Sequence, residues 1–333
     1  MLNPEIKKLL LAASPFRYLQ PQELETLIAH SKILSFKNQE TLIQQGKISH
    51  GMYIIIEGKA LVIVKALGKN AMTFATLEEG NFIGETSLIE KIPATASVVA
   101  EGPLQCIQIT TTYFDMLSSF FPETKYKITK AITEEICDRL IQLHQKISVL
   151  MNHSNMTQIS LLSEIIKTFT HPEPISYEDA HIGYNQLRHL PFFELFSTEE
   201  YDQLLAMAKL VQAKKNCTLI KEGERDAPYF VVLWGAAQAS IIQHNKIAKI
   251  MVLGPMSFFG SPSYVNGSPS IITYSSFERV TLLKISTENL IFLQKNNIQL
   301  WYKIIDLICR SFVTLDRSMA KLYVRLNNEL YNR

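Results

Sequence analysis

Apolar positions recur along this chain in two rhythms. In the first, short runs of β-branched and aliphatic residues alternate with glycine-marked breaks. Residues 52–56 (Met-Tyr-Ile-Ile-Ile) and 60–64 (Ala-Leu-Val-Ile-Val) flank Glu57-Gly58-Lys59, which reads as a hairpin with the glycine in its turn. Residues 72–77, 96–100 and 104–109 supply further short strands, and the apolar run 229–242 reads as two strands around a turn at Gly235. Leu24, Leu27 and Ile28 mark a short helix over 21–31, and Leu204 and Leu205 mark another over 198–210. Many short strands separated by turns predict a small antiparallel roll or jelly roll.

The second rhythm is a heptad seam. Ile136, Leu140, Leu143, Ile147 and Leu150 alternate steps of four and three, and Trp301, Ile305, Ile308, Phe312, Leu315, Met319, Leu322 and Leu326 sustain that alternation longer. Such a seam specifies a helix as partner, whereas a helix lying on its own roll would carry a broader stripe of period 3.6. Between the seams, Leu161, Leu162, Ile165, Ile166 and Phe169 mark one more helix, which His171-Pro172-Glu173-Pro174 breaks.

The chain repeats itself. Gly84 follows Phe82-Ile83 and precedes Pro93; Gly260 follows Phe258-Phe259 and precedes Pro269, 176 residues on in both cases. Upstream, Gly46 and Gly223, Tyr53 and Phe230, and Gly58 and Gly235 lie 177 apart, so a one-residue slip falls in the loop between. Pro15-Phe16 and Leu190-Pro191-Phe192-Phe193 open the two copies. The 333 residues therefore divide into residues 1–151, a first roll with its long helix, a helical connector over 152–189, and a second roll with its long helix over 190–333.

Composition removes several classes of function. A formal net charge of +2, with basic residues only in small groups such as Lys7-Lys8 and Lys214-Lys215, gives no footprint for nucleic acid. No window has the length of apolar chain a membrane span needs, and the run at Leu9-Leu10-Leu11 is too short for a signal peptide. Cys106, Cys137, Cys217 and Cys309 are scattered without a C-x-x-C pair, which predicts buried free thiols, a cytoplasmic protein and no metal site. The eight histidines do not cluster, and P-loop, G-x-S-x-G and H-E-x-x-H are all missing, so no catalytic residues, cofactor or enzymatic activity are expected.

Gly80-Asn-Phe82-Ile-Gly84-Glu85-Thr86-Ser87-Leu88, followed by Pro93-Ala94-Thr95-Ala96-Ser97-Val98-Val99-Ala100, resembles the phosphate-binding cassette of the cyclic-nucleotide-binding domain family. That family includes regulatory subunits of cyclic-AMP-dependent kinase and the catabolite activator protein. The frame from Gly46 through Tyr53 to Gly58 resembles its β-roll pattern, and the likeness extends over about residues 15–150 and 190–326. It implies an α+β chain of two tandem antiparallel β-rolls of jelly-roll type, each flanked by helices and followed by a long one.

The resemblance also implies roles. The cassette glycine brings backbone N–H groups to a phosphate, the next glutamate accepts from the ribose 2′-hydroxyl, and an arginine after the later proline pairs with the phosphate. Gly84, Glu85, Thr86, Ser87, Ala94, Thr95 and Ser97 are the candidate ligand residues of the first roll, and Ala94 stands at the arginine position. The nearest cation, Lys91, is a point charge that matches a phosphate less well than an arginine fork. Losing one partner of a buried charge pair costs about 2–5 kcal/mol, roughly 30- to several-thousand-fold in affinity. In the second roll Gly260 and Pro269 are kept, but Ser261 replaces the glutamate, Ser270 replaces the arginine, and Met256 replaces a glycine, so the cassette of Gly260, Ser261, Ser270 and Thr273 is expected to be degenerate.

Two readings remain at this point: a regulatory sensor holding a nucleotide or other small anion in the first roll, or a ligand-free interaction scaffold. A protein partner suits either. The second long helix runs to about Leu326 and the sequence ends at Arg333, so no DNA-binding domain is expected to follow. The eight-residue seam from Trp301 to Leu326 could be covered by the first copy's helix or by a second chain. Their unequal lengths favour a homodimer through that seam.

Overall fold

A computed structural model describes residues 4–65, 71–153 and 171–331, and it divides into two compact units, Met1–Glu135 and Ile136–Arg333. The connector helix expected around Leu161–Phe169 lies outside the described residues.

The first unit opens with α1 (Pro4–Ala12), a 3-10 turn at Ser14–Phe16 and α2 (Pro21–Ala29). Proline at the first position of α2 and the Gln20 N–H, which donates to the Glu23 carboxylate at 2.7 Å, fix its start. The roll follows as β1 (Lys32–Phe36), β2 (Thr41–Ile43), β3 (Gly51–Lys65), β4 (Ala71–Leu77), β5 (Phe82–Ile83), α3 (Glu85–Glu90) and β6 (Ser97–Thr110). All pairings are antiparallel, in the order β1-β6-β3-β4, with β2 on β6 and β5 on β3. Ile43, Tyr53, Ile55, Ala60, Ile83, Val98, Leu104 and Cys106 form the buried core, with Ala94 packed against it. After α4 (Thr111–Phe120), α5 (Pro122–His153) begins. Arg17 and Tyr18 bond Glu134, and Ser14 bonds Glu135, so the first turns of α5 are fixed to the start of the chain.

The hairpin expected at Glu57-Gly58-Lys59 is not formed. β3 runs through as one strand, paired with β6 along its length, and its register shifts on either side of Glu57. Gly58 sits at φ 90°, and a Cβ there would stand 2.3 Å from the Pro103 carbonyl oxygen. The glycine is thus a bulge that bends a continuous pair. Gly235, at φ 77°, repeats it in the second unit, with a Cβ position 2.1 Å from the Arg279 carbonyl oxygen.

The second unit takes in α5 from Ile136 onward, β7 (Glu173–Pro174), α6 (Tyr184–Arg188) and α7 (Thr198–Met207). Its roll comprises β8 (Lys209–Ala213), β9 (Thr218–Ile220), β10 (Tyr229–Trp234), β11 (Ala237–Gln243), β12 (Lys246–Leu253), β13 (Phe258–Phe259), α8 (Ser263–Asn266), β14 (Thr273–Ser276) and β15 (Val280–Ile285). Then come α9 (Thr287–Asn296) and α10 (Ile298–Tyr331). Here the bend at Gly235 separates two sheets, β13-β10-β15-β8-β7 and β12-β11-β14-β9. The strands β10 and β11 at residues 229–242 therefore belong to different sheets and do not pair with each other.

The two heptad seams meet inside this unit. Arg139 makes a two-point ion pair with Asp316, at 3.1 Å for each contact, and the Lys146 ammonium lies 6.0 Å from the Tyr323 ring centre. Each contact advances by seven residues on both helices, so α5 and α10 run parallel and in register at the repeat offset of 177. Ile136, Leu140, Leu143, Ile147 and Leu150 are buried, as are Trp301, Ile305, Ile308, Phe312, Leu315, Met319, Leu322 and Leu326. The homodimer expected through that second seam finds no support here, because all eight of its residues are already buried within one chain. The shorter α5 seam covers only part of α10; strands β12 and β13 and helix α9 also contact that helix.

Candidate functional site

In the first roll the pairs Tyr53↔Ile83 and Ile54↔Phe82 deliver the chain to Gly84. Gly84 adopts φ 90°, and a Cβ there would lie 2.7 Å from the Gly51 carbonyl oxygen, so both conformation and space demand glycine. It opens α3, whose first residue, Glu85, is buried. Ser87 is also buried, and its hydroxyl donates to the Ile92 carbonyl at 3.2 Å and accepts from the Ser49 N–H at 3.3 Å. Ser87 and Lys91 line a groove of about 390 Å³ together with Ile48, His50 and Thr110. The Lys91 ammonium is 2.7 Å from the Asp115 carboxylate on α4.

Ala94 donates its N–H to the Lys47 carbonyl and accepts from the Gly46 N–H, both at 2.8 Å. The Ser97 hydroxyl accepts from the Gln45 N–H at 3.0 Å. The Gln45 side chain in turn bridges both backbone groups of Lys65, at 2.9 and 3.0 Å. Thr86 and Thr95 are half-buried.

The second roll repeats this frame. Ser270 exchanges the same two backbone bonds, accepting from Gly223 at 2.7 Å and donating to Glu224 at 2.9 Å. Thr273 accepts from the Glu222 N–H at 3.2 Å, as Ser97 does from Gln45. Ala94 and Ser270 are therefore equivalent in space as well as in sequence.

The interior differs. Tyr229 stands where the first roll has Met52, and its ring lies against the cassette glycine: a Cβ on Gly260 would meet ring carbons at 2.3–2.5 Å. The Tyr229 hydroxyl donates to the Ser261 carbonyl at 2.7 Å, and complete burial pushes its pKa far up, so it remains a donor. The Ser270 hydroxyl donates to the Ile272 carbonyl at 2.9 Å, and Ser261 Oγ accepts from the Ser263 N–H at 3.2 Å. Gly260 also lacks the left-handed conformation of Gly84. Tyr229 and the two serine hydroxyls thus meet the cassette's own backbone.

The sequence model described as the cyclic nucleotide-binding domain matches residues 33–119 and 210–297, just over half of the chain. The chain belongs to the cyclic nucleotide-binding domain family. A cGMP-dependent protein kinase of Plasmodium berghei is 28% identical over 136 residues, 37% of this chain and 15% of the kinase. The cAMP-activated global transcriptional regulator of Salmonella typhimurium is 26% identical over 114 residues, 34% of this chain and 54% of the regulator. The chain thus spans about half, or much less, of these curated relatives. The regulatory domain of Toxoplasma gondii PKA, solved with cAMP, aligns over 90% of this chain and 95% of its own at 12% identity and a TM-score of 0.34. A regulatory subunit of a cAMP-independent protein kinase A from Trypanosoma cruzi, solved with guanosine, aligns over 89% of this chain and 86% of its own at 15% identity and a TM-score of 0.32.

Within this family frame, Gly84 and Glu85 open α3, while Ala94 and Ser97 bond the backbone of residues 45–47. Gln45 and Tyr229 were missed from the sequence. Tyr229 could have been found by carrying the 177-residue offset to Met52, whereas nothing in the sequence marks Gln45. Among the described residues, no cluster of His, Cys, Asp or Glu suits a metal ion, and no helix is long and apolar enough to cross a membrane.

Proposed function

We propose that this chain is a non-enzymatic, cytoplasmic regulatory module in which only the first roll takes a small ligand and a protein partner reads the result. The observation that carries this reading is the asymmetry of the cassettes. The Tyr229 ring packs against Gly260 in the second, whereas the first keeps a left-handed Gly84 followed by the buried Glu85. By family likeness Glu85 is the ribose acceptor, and the phosphate's partner is missing at Ala94. A ligand whose recognition rests on ribose rather than phosphate suits that balance, since an unpaired buried anion carries a large desolvation cost. The proposed ligand class is therefore a purine nucleoside, or a cyclic nucleotide held weakly.

The alternative is a ligand-free scaffold. It is favoured by the Ala94 side chain, which packs against the apolar core, and by the Ser87 and Ser97 hydroxyls, which already bond backbone groups. Isothermal titration with cyclic AMP, cyclic GMP, adenosine and guanosine separates the two. The sensor reading expects one site per chain, little affinity lost when the phosphate is removed, and loss of binding in Glu85→Gln. Absence of heat with all four at millimolar concentration leaves the scaffold.

A further inference from the structure

Among the described residues, the second roll carries a strand that the first does not. Its edge strand β8 is covered by β7, with Glu173 opposite Gln212 and Pro174 opposite Val211, and the Ile175 N–H donates to the Leu210 carbonyl at 3.1 Å. In the first roll the equivalent strand is β1, and it ends its sheet, with β6 as its strand neighbour among the described residues. The offset of 177 places Ile33 at Leu210 and Ser35 at Gln212. Leu210 is 5% exposed and Ile33 is 53% exposed.

We propose that the open edge of β1 is a docking site for an extended, acidic, proline-containing segment of a partner protein, added as an antiparallel strand. The molecule itself shows what such an edge accepts. Glu173-Pro174-Ile175 sits on β8, followed within four residues by Glu178 and Asp179. β8 is flanked by Lys209 and Lys214; β1 is flanked by Lys32 and Lys37 at the same offset, both exposed. Residues 31–39 contain two lysines and no acidic residue, so pairing with a second copy through β1 would bring two basic edges together, whereas an acidic segment complements that charge. Strand addition supplies backbone bonds to the edge, and Ile33 supplies an apolar anchor. This proposal is independent of any ligand in the cassette.

The test uses a fluorescein-labelled peptide copying residues 171–179, titrated with the full chain and followed by anisotropy. The chain's own segment is tethered beside β8 and competes there at high effective concentration, which leaves β1 as the free edge. Saturable binding of one peptide per chain is expected, weakened at least about ten-fold by Ile33→Asp and by Ser35→Pro. By equivalence with Gln212, the N–H of Ser35 points away from β6, so proline removes a docking donor and spares the ladder. Ile33→Asp alters an exposed side chain, and its melting temperature serves as the check on folding. A peptide with its three acidic residues replaced by lysine should not bind. No saturation at millimolar peptide, or binding that both variants leave unchanged, overturns the proposal. Self-association that Ile33→Asp abolishes would assign the edge to a second copy and overturn it equally.

Discussion

Glycine is required in both cassettes, for different reasons. At Gly84 the backbone is left-handed and a carbonyl oxygen blocks any Cβ; at Gly260 the obstacle is the Tyr229 ring, a side chain that can be removed. Gly260→Ala alone should destabilise by about 1–3 kcal/mol, the usual range for overpacking. Tyr229→Ala alone should cost about 3–5 kcal/mol. Together they should cost less than their sum, because the added methyl no longer meets a ring. Gly84→Ala combined with Met52→Ala should show no such relief. Urea denaturation of the six variants measures both couplings. Ala94 is the other decisive residue: its backbone is held by Gly46 and Lys47, so Ala94→Arg would place a guanidinium on a frame already fixed. Affinity for cyclic AMP should rise by at least about ten-fold over the unmutated chain, while affinity for adenosine should not. An unchanged titration would mean that the first cassette is closed to phosphate.

At the scale of elements, helices were the easier part to read. The 4-3 alternation from Ile136 and from Trp301 marked both long helices because a seam repeats over many turns. The Glu57-Gly58-Lys59 break was misread because a bulge and a hairpin turn both use a glycine at positive φ. Only the long-range pairing of β3 with β6 tells them apart, and that is not a local property. The coverage of the second seam was not legible for a similar reason. Its length suggested a second chain, but α9, β12 and β13 share the task with α5. Phe312 is buried in this seam. Phe312→Asp should therefore act on folding rather than on assembly, lowering the melting temperature while sedimentation equilibrium reports a 37.9 kDa monomer before and after the change. A dimer in the unmutated chain that the substitution splits would contradict the internal pairing.

Across the whole molecule, the repeat was the most legible feature, and it extends to individual hydrogen bonds at Ala94 and Ser270. What could not be read was the ring packed on one cassette glycine and, among the described residues, the uncovered edge of the other roll, since both depend on which side chain or segment occupies a shared frame. The cysteines could be read, as a class: all four are buried thiols outside any disulfide. Burial pushes the Cys106 thiol from its ordinary value near 9 up to about 12. The folded chain therefore keeps a proton that the unfolded chain releases above about pH 9, and unfolding gains from that release. The stability tied to this thiol is complete below pH 9 and is lost progressively toward pH 12, by at most about 1.4 kcal/mol per pH unit. Urea midpoints measured from pH 8 to 10.5 should fall more steeply for the unmutated chain than for Cys106→Ala, which has no proton to release. At pH 8 a disulfide-exchange reagent should label Cys106 only as fast as the first roll opens, so labelling should speed up with urea in step with unfolding. Rapid labelling without urea would place the thiol at the surface and remove the basis for the alkaline effect.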